Sequence, residues 1–314
     1  MNIDELKNLL RHYRLKPNFT YGQNFLVDKV ILQDIVDAAQ VSCADNILEI
    51  GPGIGNLTRL LCERALHQSP QGGSGAGQAG FVLSIEKDPK FFPILKSIKK
   101  DYKNNFRFEI ADALEYDFVG EFNKRYQSTN QHTNDTNLDS YHSHGIREFV
   151  SPYKVVANIP YFITGKILKM LMTAEFKPSL IVVLTQKEVA QNIIAKPGKL
   201  SVLAISVQLY GQPEIVQIVP AKSFYPAPKV DSAVVRIKLF PEPKYIIADE
   251  KKFFKIVKAC FAGKRKQIHN TLMNNLRLDK HRVEEILLSL KINPAARPQE
   301  LSIEQWIELA QQLT

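Results

Sequence analysis

From Ile31 to about Phe240 this 314-residue chain alternates short runs rich in β-branched residues with longer amphipathic segments. The β-branched runs suit pleated strands, and apolar residues at spacings of three and four suit helices, so the alternation imposes repeated strand-helix-strand units. Units of that kind lay parallel strands side by side and cover both faces of the sheet with helices. Strands are predicted at Asn46 to Ile50, Phe81 to Glu86, Arg107 to Ile110, Lys154 to Ala157 and Leu180 to Thr185. Helices are predicted at Leu57 to Leu66, Lys90 to Lys99, Gly165 to Met172, Gln186 to Ile194 and Leu200 to Tyr210.

The pattern changes after Tyr210. EIVQIVP and SAVVRIKLF, separated by the proline-bearing SFYPAPKV, read as an antiparallel hairpin at the sheet edge, where missing ladder donors are tolerated. Pro241-Glu242-Pro243 can neither continue a strand nor enter a helix smoothly, which sets the domain boundary there. Everything beyond reads as helix, so a catalytic-type α/β domain over 1–240 and a small all-helical domain over 241–314 are expected. Two stretches interrupt the α/β pattern as loop insertions: QSPQGGSGAGQAG at about 68–80, and a polar Asn-, Ser- and His-rich segment at about 120–151. His132, His142 and His144 of the second stretch read as solvent-exposed.

Lys and Arg total 41 against 32 Asp and Glu, a formal charge of +9 that favours polyanionic partners while also serving solubility or anionic membranes. The longest apolar runs, such as Leu180 to Leu184, fall far short of the roughly 20 residues of a membrane span. The first residues mix acidic and basic side chains without a signal-like apolar core, which reads as a cytoplasmic start. Cys43, Cys62 and Cys260 are odd in number, widely spaced and without a CxxC pair, so they read as reduced, buried thiols, and no metal site is expected.

The candidate chemistry lies at strand ends. Glu49-Ile50-Gly51-Pro52-Gly53-Ile54-Gly55 follows a predicted strand and opens a predicted helix, where glycines let a ligand approach the backbone closely. Glu86, ending the next strand, can accept from both hydroxyls of a ribose. Asp112 ends the third strand, where an adenine amino group would fall, with the Ala113 backbone beside it to read the ring edge; alone, Asp112 could equally be a helix N-cap. Asn158-Ile159-Pro160-Tyr161 follows the strand KVVA, and Pro160 biases Ile159 to an extended conformation. The Asn158 side chain and neighbouring carbonyls are thereby held as acceptors for an exocyclic amine, and Tyr161 offers a flat face for stacking.

Taken together, GQNFLVD, LEIGPGIGNLT, SIEKD, ADAL, VVANIPYFIT, LTQKEVAQNIIAKPGKLSVLA and FYPAPKVDSAVVRI make this chain similar, in order and content, to the ribosomal RNA adenine dimethyltransferase family, the KsgA-like enzymes. The resemblance covers nearly the whole chain apart from the two insertions. It implies a Rossmann-like S-adenosylmethionine-dependent methyltransferase sheet and dimethylation of two adjacent adenosines near the 3′ end of small-subunit ribosomal RNA. The implied partner is that RNA, within an immature small subunit; a monomer is expected.

By the same resemblance, Asn24 and Leu26 cover the cofactor, Gly51 approaches its methionine moiety, with Gly53 also binding the cofactor, Glu86 holds the ribose, Asp112 and Ala113 the adenine, and Asn158 the reacting centre. Tyr161 and Phe224 would sandwich the target base. Phe162 stands where many relatives have Asn or Tyr and still supplies an aromatic face. Lys264, Arg265 and Lys266 take the place of the family's basic run and would contact RNA phosphates; His269 would face RNA or solvent. Three other readings stay open: a large-subunit RNA dimethyltransferase, a non-catalytic ribosome assembly factor, and an amine methyltransferase acting on protein or small molecules.

Overall fold

The computed structural model describes residues 1–43, 45–66, 80–122, 153–159 and 163–313, with nothing to be said of the Phe19 side chain. Two compact units emerge, one formed by 1–187 with 215–239, the other by 188–214 with 240–314. The chain passes between the units after 187, 214 and 239, where the sequence led us to expect a single boundary at Pro241. Residues 188–214 join the helices because Leu200, Ala204, Ile205 and Leu209 form an apolar stripe that buries against Phe253, Ile256, Val257 and Trp306.

The first unit is built on a seven-stranded sheet. In chain order its strands are β2 (Asn46–Ile50), β3 (Phe81–Glu86), β4 (Phe106–Ile110), β5 (Tyr153–Asn158), β6 (Leu180–Gln186), β7 (Gly211–Val219) and β9 (Ser232–Leu239), arranged β4-β3-β2-β5-β6-β9-β7. Neighbours from β4 to β6 are parallel, and β9 runs antiparallel to β6. β3 and β6 are buried almost throughout, as strands covered on both faces must be.

The chain starts the sheet at β2, builds outwards through β3 and β4, then returns to place β5 on the other side of β2. That reversal is a topological switch point, and the carboxyl ends of β2 and β5 open a crevice there. Its walls are completed by α2 (Lys29–Ala38), α3 (Asn56–Leu66) and α5 (Thr164–Thr173), after α1 (Ile3–His12) and before α6 (Lys187–Ile193), with α4 (Phe92–Tyr102) following β3. A two-residue pair, β1 (Phe25–Leu26) with β8 (Phe224–Tyr225), is antiparallel and lies outside the main sheet.

The two insertions fall largely outside the described residues, as do His132, His142 and His144. The second starts later than expected: Phe122 is 2% exposed and packs 5.3 Å from the Tyr153 ring, so Gly120 to Phe122 still belong to the fold. Cys62 and Cys260 are buried free thiols, whereas Cys43 is only half-buried.

The helical unit comprises α7 (Val202–Gln208), α8 (Glu250–Phe261), α9 (Ile268–Leu276), α10 (Lys280–Ser289) and α11 (Ile303–Gln312) around fully buried Trp306. Asp249, Asp279 and Ser302 are side-chain caps at the starts of α8, α10 and α11, where they accept first-turn amides. No helix among the described residues is long and apolar enough to cross a membrane.

Candidate active site

The crevice at the switch point is a cavity of about 360 Å³, within the ordinary range for small-ligand sites. Most of its wall is apolar, including Leu32, Ile35, Ile54, Leu57 and Phe91, and its polar groups come from four strand ends and the segment before β1.

Gly51 ends β2 with φ at +76°, in the left-handed region. A Cβ built there would lie 2.9 Å from the Asn158 carbonyl oxygen, closer than real Cβ atoms come. The two strand ends flanking the switch point are thus interlocked at a distance only glycine permits.

Glu86 is 7% exposed, and each of its carboxylate oxygens takes one backbone amide: Gly53 N–H donates to Oε2 at 3.0 Å and Asp88 N–H to Oε1 at 2.8 Å. Burial pushes its pKa up, against the lowering by those two amides. An ionised carboxylate offers about four acceptor positions, so acceptor capacity remains for a diol in the cavity. Asp88 continues the network: its Oδ1 caps Lys90 N–H, and its Oδ2 accepts from Gln23 Nε2 at 2.8 Å. Gln23 Oε1 in turn accepts from Asn18 N–H at 2.7 Å. An unbroken chain of hydrogen bonds therefore links the glycine turn to the segment that leads into β1.

Asp112 lies at the far end of the cavity. Its Oδ1 accepts from Leu114 N–H at 3.0 Å and its Oδ2 from Lys87 Nζ at 2.6 Å. The Lys87 ammonium beside it holds its carboxyl below the usual range. Ala113 is 8% exposed and lines the same wall. Asn24 and Leu26 also line the cavity; Asn24 Nδ2 donates to Gly22 O, and the Leu26 carbonyl accepts from Asn56 Nδ2 at 3.0 Å.

The structure thus gathers Asn24, Leu26, Gly51, Gly53, Glu86, Asp112, Ala113 and Asn158 around one cavity. Pro160, Tyr161 and Phe162 lie outside the described residues. Phe224 requires a correction: it is 3% exposed, pairs with Leu26 and packs in the main core, so its ring offers no free face for stacking. Lys264, Arg265 and Lys266 are exposed, in the turn ahead of α9 rather than inside a helix, and belong to the other compact unit. His269 is not a solvent-facing group; its side chain is 16% exposed and its Nε2 lies 3.5 Å from Glu284 Oε1.

Among the lining residues that sequence reasoning did not single out are Gln23, Lys87 and Phe91. The first two sit inside quoted stretches, GQNFL and SIEKD, and their polar ends next to Asn24 and Glu86 were the available signal. Glu49, by contrast, lines no part of the cavity. It points to the opposite face of β2, 1% exposed, where its Oε2 accepts from Thr58 Oγ1 at 2.8 Å and Ser84 Oγ at 2.5 Å. Its Oε1 has no partner, and burial raises its pKa to about 7.

An adenosyl group fits this donor set. The glycine turn leaves open backbone where a Cβ would intrude, Glu86 keeps diol-ready acceptors, and Asp112 and Ala113 close the far end.

Comparison with known proteins agrees with that chemistry. The family model described as ribosomal RNA adenine dimethylase matches residues 14–314. A ribosomal RNA small subunit methyltransferase A from Dehalococcoides mccartyi (strain CBDB1) is 34% identical over 308 residues, 97% of this chain and 91% of the relative. The protein of that name from Clostridium botulinum (strain Loch Maree / Type A3) is 34% identical over 306 residues, 97% of this chain and 96% of the relative. Among solved structures, the 23S rRNA methyltransferase ErmE superposes with a TM-score of 0.63 at 26% identity, covering 92% of this chain and 99% of the other. A dimethyladenosine transferase from Plasmodium falciparum, at 22% identity and a TM-score of 0.64 over 91% of this chain and 95% of its own, shares the fold.

Proposed function

This chain belongs to the ribosomal RNA adenine dimethylase family, and from that premise we propose that it dimethylates two adjacent adenosines near the 3′ end of small-subunit ribosomal RNA. The enzyme is an S-adenosylmethionine-dependent ribosomal RNA adenine dimethyltransferase. The small-subunit assignment is supported by the relatives at 34% identity, which carry that name over nearly their full length. It acts in the cytoplasm as a monomer on immature small subunits. The observation that carries the site assignment is the convergence of Gly51, Glu86, Asp112 and Asn158 on one cavity at the switch point.

The chemistry supplied by bound S-adenosylmethionine is a methyl group carried on a cationic sulfur. Glu86 holds the ribose, Asp112 and the Ala113 backbone hold the adenine, and the Gly51 turn admits the methionine moiety. Asn24 and Leu26 close over it. Asn158, fixed at the end of β5 against Gly51, orients the exocyclic amine of the target adenosine by accepting its hydrogens. Methylation of a neutral amine needs no strong base, and no histidine or cysteine lines the cavity among the described residues. Positioning supplies most of the acceleration. The target base must be single-stranded or flipped to reach Asn158, with Tyr161 and Phe162 as its stacking partners. Lys264, Arg265 and Lys266 contact RNA phosphates.

Mass spectrometry of the small-subunit 3′ fragment, with and without the enzyme, tests the reading. Two dimethyladenosines appearing only with enzyme support it. The ErmE likeness makes naked large-subunit RNA the proper competitor, and preferential labelling of that RNA overturns the small-subunit assignment.

A further inference from the structure

We infer that the N-terminal helix and the turn after it form an RNA-docking surface on the catalytic unit, apart from the basic run at 264–266. The inference rests on the RNA-modifying reading above. The helix, α1, precedes the start of the family match at residue 14. It is nevertheless an integral part of the unit: Leu6 and Leu10 are 0% and 5% exposed and belong to the main core.

Burying that apolar stripe turns the rest of the helix outward. Lys7 is half-buried, and Arg11, His12, Arg14 and Lys16 are exposed. Lys7 Nζ stands 5.6 Å from the centre of the Tyr225 ring, which joins α1 to the loop carrying exposed Lys222 and Lys229. Among the described residues none of these six Lys and Arg side chains is ion-paired. The acids on the same segments are Asp4 and Glu5, in the first turn where they offset the helix dipole, and Asp231, whose carboxylate caps Ala221 N–H. Unpaired cations interleaved with a half-exposed tyrosine make a surface suited to a single-stranded phosphate backbone.

Two details favour RNA over a lipid surface and tie the patch to the site. A membrane-seeking helix keeps its apolar face free, whereas that of α1 is spent on the core. Arg14 sits at φ +53°, a left-handed position that favours glycine, between the end of α1 and the segment from Thr20 to Leu26 that lines the cavity. Leu15 N–H donates to the Leu10 carbonyl across that turn, which ends α1 and leads the basic segment on towards the cavity wall.

The test is a triple variant, Arg11→Gln, Arg14→Gly and Lys16→Gln, in the full chain. Arg14→Gly relieves the left-handed backbone, so folding is retained, and thermal melting verifies it. Binding to unmethylated small subunits is measured against salt, with methylation kinetics alongside and phosphatidylglycerol vesicles as a second probe. The expected result is a salt slope smaller by about 2 to 3 and an RNA KM raised at least tenfold, with kcat and the dissociation constant of the cofactor unchanged. An unchanged slope and KM, with the native chain active, overturn the docking surface and leave the RNA reading intact. Native chain that neither binds nor methylates small subunits removes the RNA reading and this inference with it. Vesicle binding by the native chain tighter than its RNA binding, abolished in the variant, assigns the patch to lipid and overturns the inference.

Discussion

Replacing Glu49 by glutamine should stabilise the sheet unit at alkaline pH and leave it nearly unchanged under mild acid. The carboxyl is 1% exposed, two hydroxyls converge on one of its oxygens, and the other oxygen is unpartnered. Burial lifts its pKa from 4.5 to about 7, the hydroxyl bonds offsetting only part of the rise. The folded chain therefore keeps a proton that the unfolded chain releases between those two values. Stability from this group is full below the unfolded pKa and is lost as pH rises through the folded one. A difference of about 2.5 pH units corresponds to about 3 kcal/mol at full extent. Glutamine keeps an oxygen for Thr58 and Ser84 but never ionises, so the advantage of the variant should grow from near zero at pH 4, through about 1 kcal/mol at pH 5, to about 3 kcal/mol at pH 8.

Urea denaturation across that range gives the number, read from amide hydrogen exchange of β2 and β3 peptides. With a slope of about 3 kcal/mol per molar, the midpoint should move by about 1 M at pH 8. Fluorescence of Trp306, the one tryptophan, follows the helical unit and serves as an internal control that should not shift. A difference between variant and native chain that stays constant from pH 5 to pH 8 would show that Glu49 is ionised throughout, and the linkage would be refuted.

Other substitutions separate the roles within the site. Gly51→Ala meets the Asn158 carbonyl and a left-handed backbone, which costs about 1–2 kcal/mol for the backbone alone; calorimetry should find both the lower melting temperature and no measurable cofactor binding. Gln23→Ala cuts the hydrogen bond to Asp88, worth about 1 kcal/mol, so cofactor affinity should fall about fivefold in titration calorimetry while kcat at saturation holds. Asn158→Ala should lower kcat at least a hundredfold with cofactor affinity nearly intact; unchanged methylation in that variant defeats the catalytic assignment. Glutamine at 264, 265 and 266 should reduce the salt slope of RNA binding by about 2 to 3 without altering cofactor affinity.

The parts of the fold that were legible in the sequence are those fixed by local pattern. The strands around Ile47 and Val182 announce themselves because residues buried on both faces leave continuous β-branched runs. Gly51, Glu86, Asp112 and Asn158 were legible because each ends such a run, and parallel strands deliver their carboxyl ends to one edge. What was hidden depends on partners distant in the chain. The stripe of Leu200, Ala204 and Ile205 would suit either unit, and only packing on Phe253 and Val257 decides. Phe224 beside Pro226 looks available for stacking until its pairing with Leu26 encloses it. Lys87 looks like an ordinary solvated lysine, yet it reaches Asp112, a residue 25 positions away.

The direction of the strands also sets which edge of the sheet the two insertions join. Residues 67–79 connect α3 to the start of β3, and 123–152 lead to the start of β5. Both therefore join the sheet at its amino-terminal edge, whereas Gly51, Glu86 and Asn158 stand at the carboxyl-terminal one. Phe81 and Tyr153, which receive those stretches, stand at the opposite ends of their strands from Glu86 and Asn158, so a reporter or affinity handle inserted ahead of either strand is expected to leave the cavity-lining groups where they are.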